Sequence, residues 1–290
     1  EIAELLGDDS KLIQQDLVRP VVRRRSSSEL ELDTRVRNFL LGYSEYQRAT
    51  VEDLMPSFTI LSHSIPDVTL DDLIVPDSVM SVLLNTVDRI ENNVDATLRQ
   101  WGLLTQRSAY RDSDSLVGTT ILISGVSGVG KTYAAHCLAG SLGKALVTTD
   151  CSRLLSYYVG ESEQNVSKLF DSYEAIIKRT GTKFPVLLLN EVDQFFGKRY
   201  AGSGHSVDRM YNQMMNLFLE RLESFRGILI ATTNLIELID DAMSRRFDVK
   251  LVLGLPDSSA RYDLWNLHLP TTAPIADDVD LGVLADKYEF

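Results

Sequence analysis

The run Gly125-Val126-Ser127-Gly128-Val129-Gly130-Lys131-Thr132 constrains this chain more than any other stretch. It follows directly on the apolar run Thr120-Ile121-Leu122-Ile123-Ser124 and leads into a helical pattern. A strand, then G-x-x-x-x-G-K-[ST], then a helix is an arrangement that cradles nucleotide phosphates. The glycines permit a tight loop whose N–H groups converge on the β-phosphate. Lys131 brings a mobile positive charge to the β/γ-phosphates, and the Thr132 hydroxyl is a ligand for Mg²⁺. The helix that begins there aims its positive dipole end at the same anion. A Gly-rich turn before a helix is the plain alternative, and it leaves the upstream strand and the acidic strand end downstream without a reason.

Residues 117–256 alternate strand and helix. Strands are expected at 120–124, 145–150, 185–190, 227–233 and 249–253, with helices at about 131–142, 161–178 and 206–225. In the second helix Val166, Leu169, Phe170, Tyr173 and Ile177 share one face, and in the third Met210, Met214, Leu217, Phe218 and Leu222 do. Alternating β and α with wholly apolar strands implies a parallel five-stranded sheet between helical layers, a P-loop three-layer α/β sandwich. Phosphates would then sit at the carboxyl edge of the strands.

Three segments are expected. Residues 1–64 read as a small helical module. An apolar set from Leu5 to Leu17 and a second stretch from Val36 to Tyr46 flank Arg23-Arg24-Arg25 and Ser26-Ser27-Ser28, so the module reads as helical, or as winged-helix-like with two short helices around a basic hairpin. Its arginines are read as a solvated loop rather than a DNA contact. Residues 65–256 form the large nucleotide-binding unit, and 257–290 begin a helical piece. The opening residue is Glu rather than Met, so the sequence is expected to be a piece of a longer protein.

A net charge of −12 argues against general nucleic-acid steering. The two cysteines, Cys137 and Cys151, have neither metal spacing nor a disulfide framework, which fits a reducing, cytoplasmic compartment. No apolar run approaches the length of a membrane span.

The third strand ends in Asn190-Glu191-Val192-Asp193. A carboxylate at a buried strand's carboxyl end, beside a phosphate loop, can orient and deprotonate an attacking water, and Glu191 is the candidate. The fourth strand ends in Asn234, whose amide can fix the same water or a γ-phosphate oxygen. Asn is also a common turn residue. His205 has no partner spacing and reads as a loop residue.

With G-V-S-G-V-G-K-T, Tyr157-Tyr158-Val159-Gly160-Glu161-Ser162-Glu163, L-L-L-N-E-V-D, A-T-T-N and Ser244-Arg245-Arg246-Phe247-Asp248 in this order, the chain resembles the AAA family of AAA+ ATPases over residues 70–290. It looks closest to bacterial members carrying N-E-x-D and a double-Arg turn. The resemblance implies that Gly125, Val126, Ser127, Gly128, Val129, Gly130, Lys131, Thr132 and the adjoining Tyr133 hold ATP. It places Leu73 and Ile74 against adenine, Thr132 and Asn190 at Mg²⁺, Glu191 as catalytic base and Asn234 as sensor 1. Arg246, helped by Arg245, is implied as an arginine finger for a neighbour's site. Tyr158 and Val159 are implied in a first pore loop gripping a threaded polypeptide, and Gly197 to Ser206 in a second. The family usually has Asp where this chain has Asn190, which implies weaker Mg²⁺ support and slow hydrolysis. Sensor 2 is expected beyond Phe290, leaving the helical lid incomplete.

Two functions follow as expectations. One is an ATP-hydrolysing, hexameric ring that remodels or threads a protein substrate recruited by residues 1–64, and Tyr158-Val159-Gly160 favours it. The other is a slow nucleotide-dependent switch or assembly scaffold, which Asn190 favours. A DNA-associated ATPase is the least expected, given the acidic balance.

Overall fold

The computed structural model describes residues 18–22, 28–32, 51, 61–92, 101, 118–155, 161–180, 183–196, 205–235, 245–269, 272 and 279–289. Five parallel strands form the body of the sheet. They are β4 (Thr119–Gly125), β5 (Leu146–Asp150), β6 (Val186–Asn190), β7 (Ile228–Thr233) and β8 (Val249–Leu253). Their order in space is β5-β6-β7-β4-β8. A sixth strand, β3 (Ser62–Ser64), adds antiparallel to the outer edge of β5, pairing Ser62 with Thr148 and Ser64 with Leu146. The sheet is therefore mixed and six-stranded, with the expected five parallel strands inside it, and it reaches back past the boundary placed at residue 65.

The interior strands are buried on both faces, and their alternation divides the core in two. Leu187 and Leu189 of β6 face one cluster with Leu122, Val147, Leu229 and Ala231. Val186 and Leu188 face the other with Ile121, Ile123, Ile228 and Ile230. On the first face lie α3 (Glu161–Thr180), through Val166, Leu169, Phe170, Tyr173 and Ile176, and α4 (His205–Glu223), through Met214, Phe218 and Leu222. On the second lie α1 (Asp77–Glu91) and α2 (Lys131–Ser141), through Leu83, Ala134, Ala135 and Leu138. These are the three layers expected from the sequence. His205 is the first residue of α4 rather than a loop residue.

Tyr173 is fully buried between the α3 layer and the sheet. Its ring stacks on Phe225, centroids 5.3 Å apart, and its hydroxyl donates to the Pro185 carbonyl at 2.6 Å. The end of α3 is thereby tied to the entry of β6.

Beyond the sheet, α5 (Ser258–His268) and α6 (Leu281–Lys287) pack together. Each starts on an aspartate cap. Asp257 accepts from Ala260 N–H, and Asp280 accepts from Gly282 and Val283 N–H. The buried Arg261 joins them, its Nε donating to the Ala285 carbonyl at 2.6 Å and Nη1 to the Pro256 carbonyl at 2.8 Å.

Within 1–64 the strands at 18–22 and 28–32 fall between the two helical stretches expected from the sequence. Residues 18–32 form an antiparallel hairpin of β1 (Val18–Val22) and β2 (Ser28–Leu32), paired from Val18–Leu32 to Val22–Ser28. The helical stretches expected at 5–17 and 36–46 lie outside the described residues.

Tyr173→Phe keeps the ring and deletes the hydroxyl, leaving a buried carbonyl short of a donor. It is expected to lower unfolding free energy by about 1–2 kcal/mol, read from urea denaturation.

Candidate nucleotide site

Both strand-end motifs open on the same edge of the sheet. β4 runs into the Gly125–Gly130 loop and β6 into Asn190-Glu191, with β7 seated between them. The loop is shaped by its glycines. Gly130 caps α2 with φ 88°, a left-handed value that side-chain-bearing residues avoid. At Gly125 a Cβ would come within 2.4 Å of the Leu253 carbonyl oxygen, so only glycine lets β4 leave the sheet this close to β8. Val126, Ser127 and Gly128 are exposed, and Val129 is half-buried against the α2 side of the core.

Lys131, at the first position of α2, is 9% exposed. Its ammonium donates to the carbonyls of Gly125 at 2.9 Å and Val126 at 2.7 Å, which folds it back into the loop. Burial lowers its pKa, and the carboxylates of Asp193 and Glu191 oppose that shift. Those two acids therefore face the lysine across the site.

Thr132 and Tyr133 are exposed at the helix start, where backbone N–H groups lack intrahelical partners. The Thr132 hydroxyl donates to Asn190 Oδ1 at 3.3 Å, so the P-loop and the end of β6 touch directly. Tyr133 has its phenol pKa raised by desolvation, then by Cys137, Asp72 and Asp67. The segment before α1 thus lies alongside the first turn of α2. Leu73 is buried there with Ala134, Ala135 and Leu138, and Ile74 is half-buried beside it.

The end of β6 is cross-tied to the end of β7. Glu191 is exposed and has φ 55°, the one positive φ outside glycine among the described residues. Its N–H donates to Thr232 Oγ1 at 3.2 Å, and its carbonyl accepts from Gln194 N–H at 3.0 Å. Asp193 Oδ1 accepts the backbone N–H of Asn234 at 3.1 Å. Asn190, Glu191 and Asn234 are thereby fixed relative to one another. Cys151, buried below this edge, has its thiol pKa pushed up by burial and by Asp193, Asp150 and Glu191, so it stays protonated. Burial likewise pushes the Cys137 thiol up to about 11.

The arginine turn lies at the opposite edge. Arg245 and Arg246 precede β8, and the turn is bound to the start of β4. Thr120 Oγ1 donates to the Arg246 carbonyl at 2.8 Å, and Asp248 Oδ2 accepts from Thr120 N–H at 2.9 Å. Thr120 and the loop are separated by the length of β4, roughly 17 Å at 3.3 Å per residue. Arg246 Nη2 pairs with Glu223 Oε1 at the end of α4, 2.6 Å away. The structure does not bring Arg245 and Arg246 to this chain's own loop. Tyr158, Val159 and 197–204 lie outside the described residues.

Residues 121–255 match the family model of the ATPase family associated with various cellular activities (AAA). This stretch is an AAA domain. Similar curated proteins include "Protein SAV" of Sulfolobus acidocaldarius, 32% identical over 168 residues, covering 57% of this chain and 21% of that protein. The "Cell division cycle protein 48 homolog" of Archaeoglobus fulgidus is 31% identical over 173 residues, 58% of this chain and 22% of that protein. "ATP-dependent zinc metalloprotease FtsH 4" of Sphaerobacter thermophilus is 32% identical over 171 residues, 57% and 25% of the two. The matched part of the chain spans a quarter or less of the length of these three relatives.

Three groups of the AAA domain escaped the sequence reading as site residues: Thr232, Glu223 and the Thr120–Asp248 pair. Thr232 carried a usable signal, a polar residue inside an apolar strand. Glu223 carried none, since its pairing with Arg246 depends on where α4 ends in space. No helix among the described residues is long and apolar enough to cross a membrane.

Asp193→Ala leaves the half-buried Asn234 N–H without its acceptor. An unfolding loss of about 1–3 kcal/mol is expected in denaturant melts. Asp193→Asn, which keeps an acceptor oxygen, should recover most of it.

Proposed function

We propose that this AAA domain binds ATP with Mg²⁺, hydrolyses it to ADP and phosphate, and works as one subunit of a ring, hexameric by resemblance, that remodels or threads a protein substrate. The observation that carries the ATPase reading is the single sheet edge holding Lys131, Thr132, Asn190, Glu191 and Asn234, with the arginine turn at the opposite edge.

In this mechanism the loop and the first turn of α2 take the phosphates. Lys131 exchanges the carbonyls of Gly125 and Val126 for β/γ-phosphate oxygens, gaining charge-assisted contacts in their place. Tyr133, Leu73 and Ile74 border the base. Thr132 and Asn190 present oxygen donors side by side, a set that suits a hard cation. With the Thr132 proton turned away from Oδ1 to free a lone pair, they would hold Mg²⁺, which would supply positive charge to the phosphates. Glu191 orients the attacking water and takes its proton, and the Asn234 amide steadies that water or a γ-oxygen.

Because Arg246 sits at the far edge, it serves a site on an adjacent subunit, where a guanidinium stabilises the transferring phosphoryl group. Tyr158 and Val159 grip the polypeptide, residues 1–64 recruit it, and the protein works in the cytoplasm. One relative's name includes "ATP-dependent", which supports the ATP reading.

A second reading, a slow switch or assembly scaffold, draws on Asn190. Its amide oxygen can hold a bound water or hydroxyl but lacks the negative charge of Asp, so Mg²⁺ is held more weakly and turnover is slow. Asn190→Asp is expected to lower the Mg²⁺ concentration needed for tight ATP binding. Superimposable Mg²⁺ curves from calorimetry would remove Asn190 as the cause of slow turnover.

The ring reading is tested by mixing subunits of the full-length protein. Lys131→Ala and Arg246→Ala should each lower ATPase sharply alone, by about 1,000-fold for the arginine, the smaller end of what an arginine finger contributes. Their mixture should regain activity, because some interfaces then join an intact loop to an intact arginine. No recovery at concentrations where mass measurement shows mixed assemblies would overturn the action of Arg246 in trans.

A further inference from the structure

We infer that Thr232 is a positioning residue of the nucleotide site, setting the Asn190 amide and the Glu191 backbone together through one hydroxyl. The inference deepens the ATPase reading and rests on it.

Thr232 is 2% exposed, near the end of β7 and level with Ile123 of β4. Its backbone belongs to the sheet ladder, which does not require a hydroxyl. The hydroxyl makes two contacts, both to β6. It accepts from Glu191 N–H at 3.2 Å and donates to Asn190 Oδ1 at 3.3 Å. The neighbouring Thr233 hydroxyl does something different, accepting from Leu235 N–H at 3.1 Å as the chain leaves its own strand.

A hydroxyl has one proton to give, so the bonds have a fixed direction. Glu191 N–H gives to Thr232, Thr232 gives to Asn190 Oδ1, and Thr132 gives to the same Oδ1. Three consequences follow. Two O–H donors on one oxygen decide which end of a nearly symmetric amide faces the P-loop. With the NH₂ end there instead, Thr132 would have to accept from it, leaving its oxygen one lone pair rather than two for a cation. Finally, Glu191 occupies a left-handed conformation that non-glycine residues rarely adopt, and its N–H bond to Thr232 helps hold it there.

Thr232→Val keeps the shape and removes the hydroxyl, and Thr232→Ser keeps the hydroxyl and removes the methyl. Both are measured in the full-length chain by thermal unfolding, by ATP calorimetry with EDTA and across a Mg²⁺ titration, and by steady-state ATPase. With Val, Mg²⁺-free ATP affinity should stay within twofold. The Mg²⁺ midpoint for ATP binding should rise several-fold, and kcat should fall about 10-fold with KM little changed, as loss of one hydrogen bond implies. Ser should return midpoint and kcat to within about twofold of the parent, although it packs less well. The inference is overturned if Val matches the parent in both quantities. It is equally overturned if Ser is as impaired as Val, since volume and not the hydroxyl would then matter. A parent protein that binds no ATP with or without Mg²⁺ would instead bring down the nucleotide reading itself, and this inference with it.

Discussion

Parallel pairing seats β7 between β6 and β4, with register running from Thr119–Ile228 to Ser124–Thr233 on one side and Val186–Ile228 to Leu189–Ala231 on the other. The polar groups of the site take their spacing from these ladders. A strand interior of Ile230 and Ala231 cannot slip by one residue without turning its buried side chains to the opposite face. The hydrophobic register therefore fixes where Thr232 and Asn234 emerge, and with them the height of Asn190 and Glu191. Catalytic placement at this edge is a product of core packing several residues away.

The site is also electrostatically balanced in a particular way. Asp150, Glu191 and Asp193 gather where β5 and β6 end, and the nearby lysine is folded back on carbonyls of its own loop. Negative charge collected beside a phosphate site is unfavourable until cations offset it. Asn190, at the end of β6, adds no further charge to these three acids.

Much of this was legible in the sequence because the informative signals are local. The loop glycines, the apolar strands and the residues at their ends determine one another within a few positions, and the structure places Lys131, Thr132, Asn190, Glu191 and Asn234 along one edge as their spacing implied. What escaped was non-local. β3 is only Ser-His-Ser, with no apolar alternation to announce it, and it is a strand because β5 has an open edge. The strands at 18–22 and 28–32 lie between the two stretches read as helical, and the cross-strand pairing that sets their register leaves little trace in local spacing. Thr232 stood out only as a polar residue in an apolar strand, which names no partner. Its importance lies in facing a strand that is distant in sequence, as does that of Glu223 facing Arg246.

β4 ends in the phosphate loop, while its beginning is bonded through Thr120 to the turn that carries Arg246. Between those ends every residue is buried and paired on both sides. A strand held this way behaves as a stiff rod, because close-packed surroundings compress little. Movement of the loop along the strand axis must be delivered nearly undiminished to the arginines at the far end. The loop at one end and the arginine turn at the other thus share a single mechanical element.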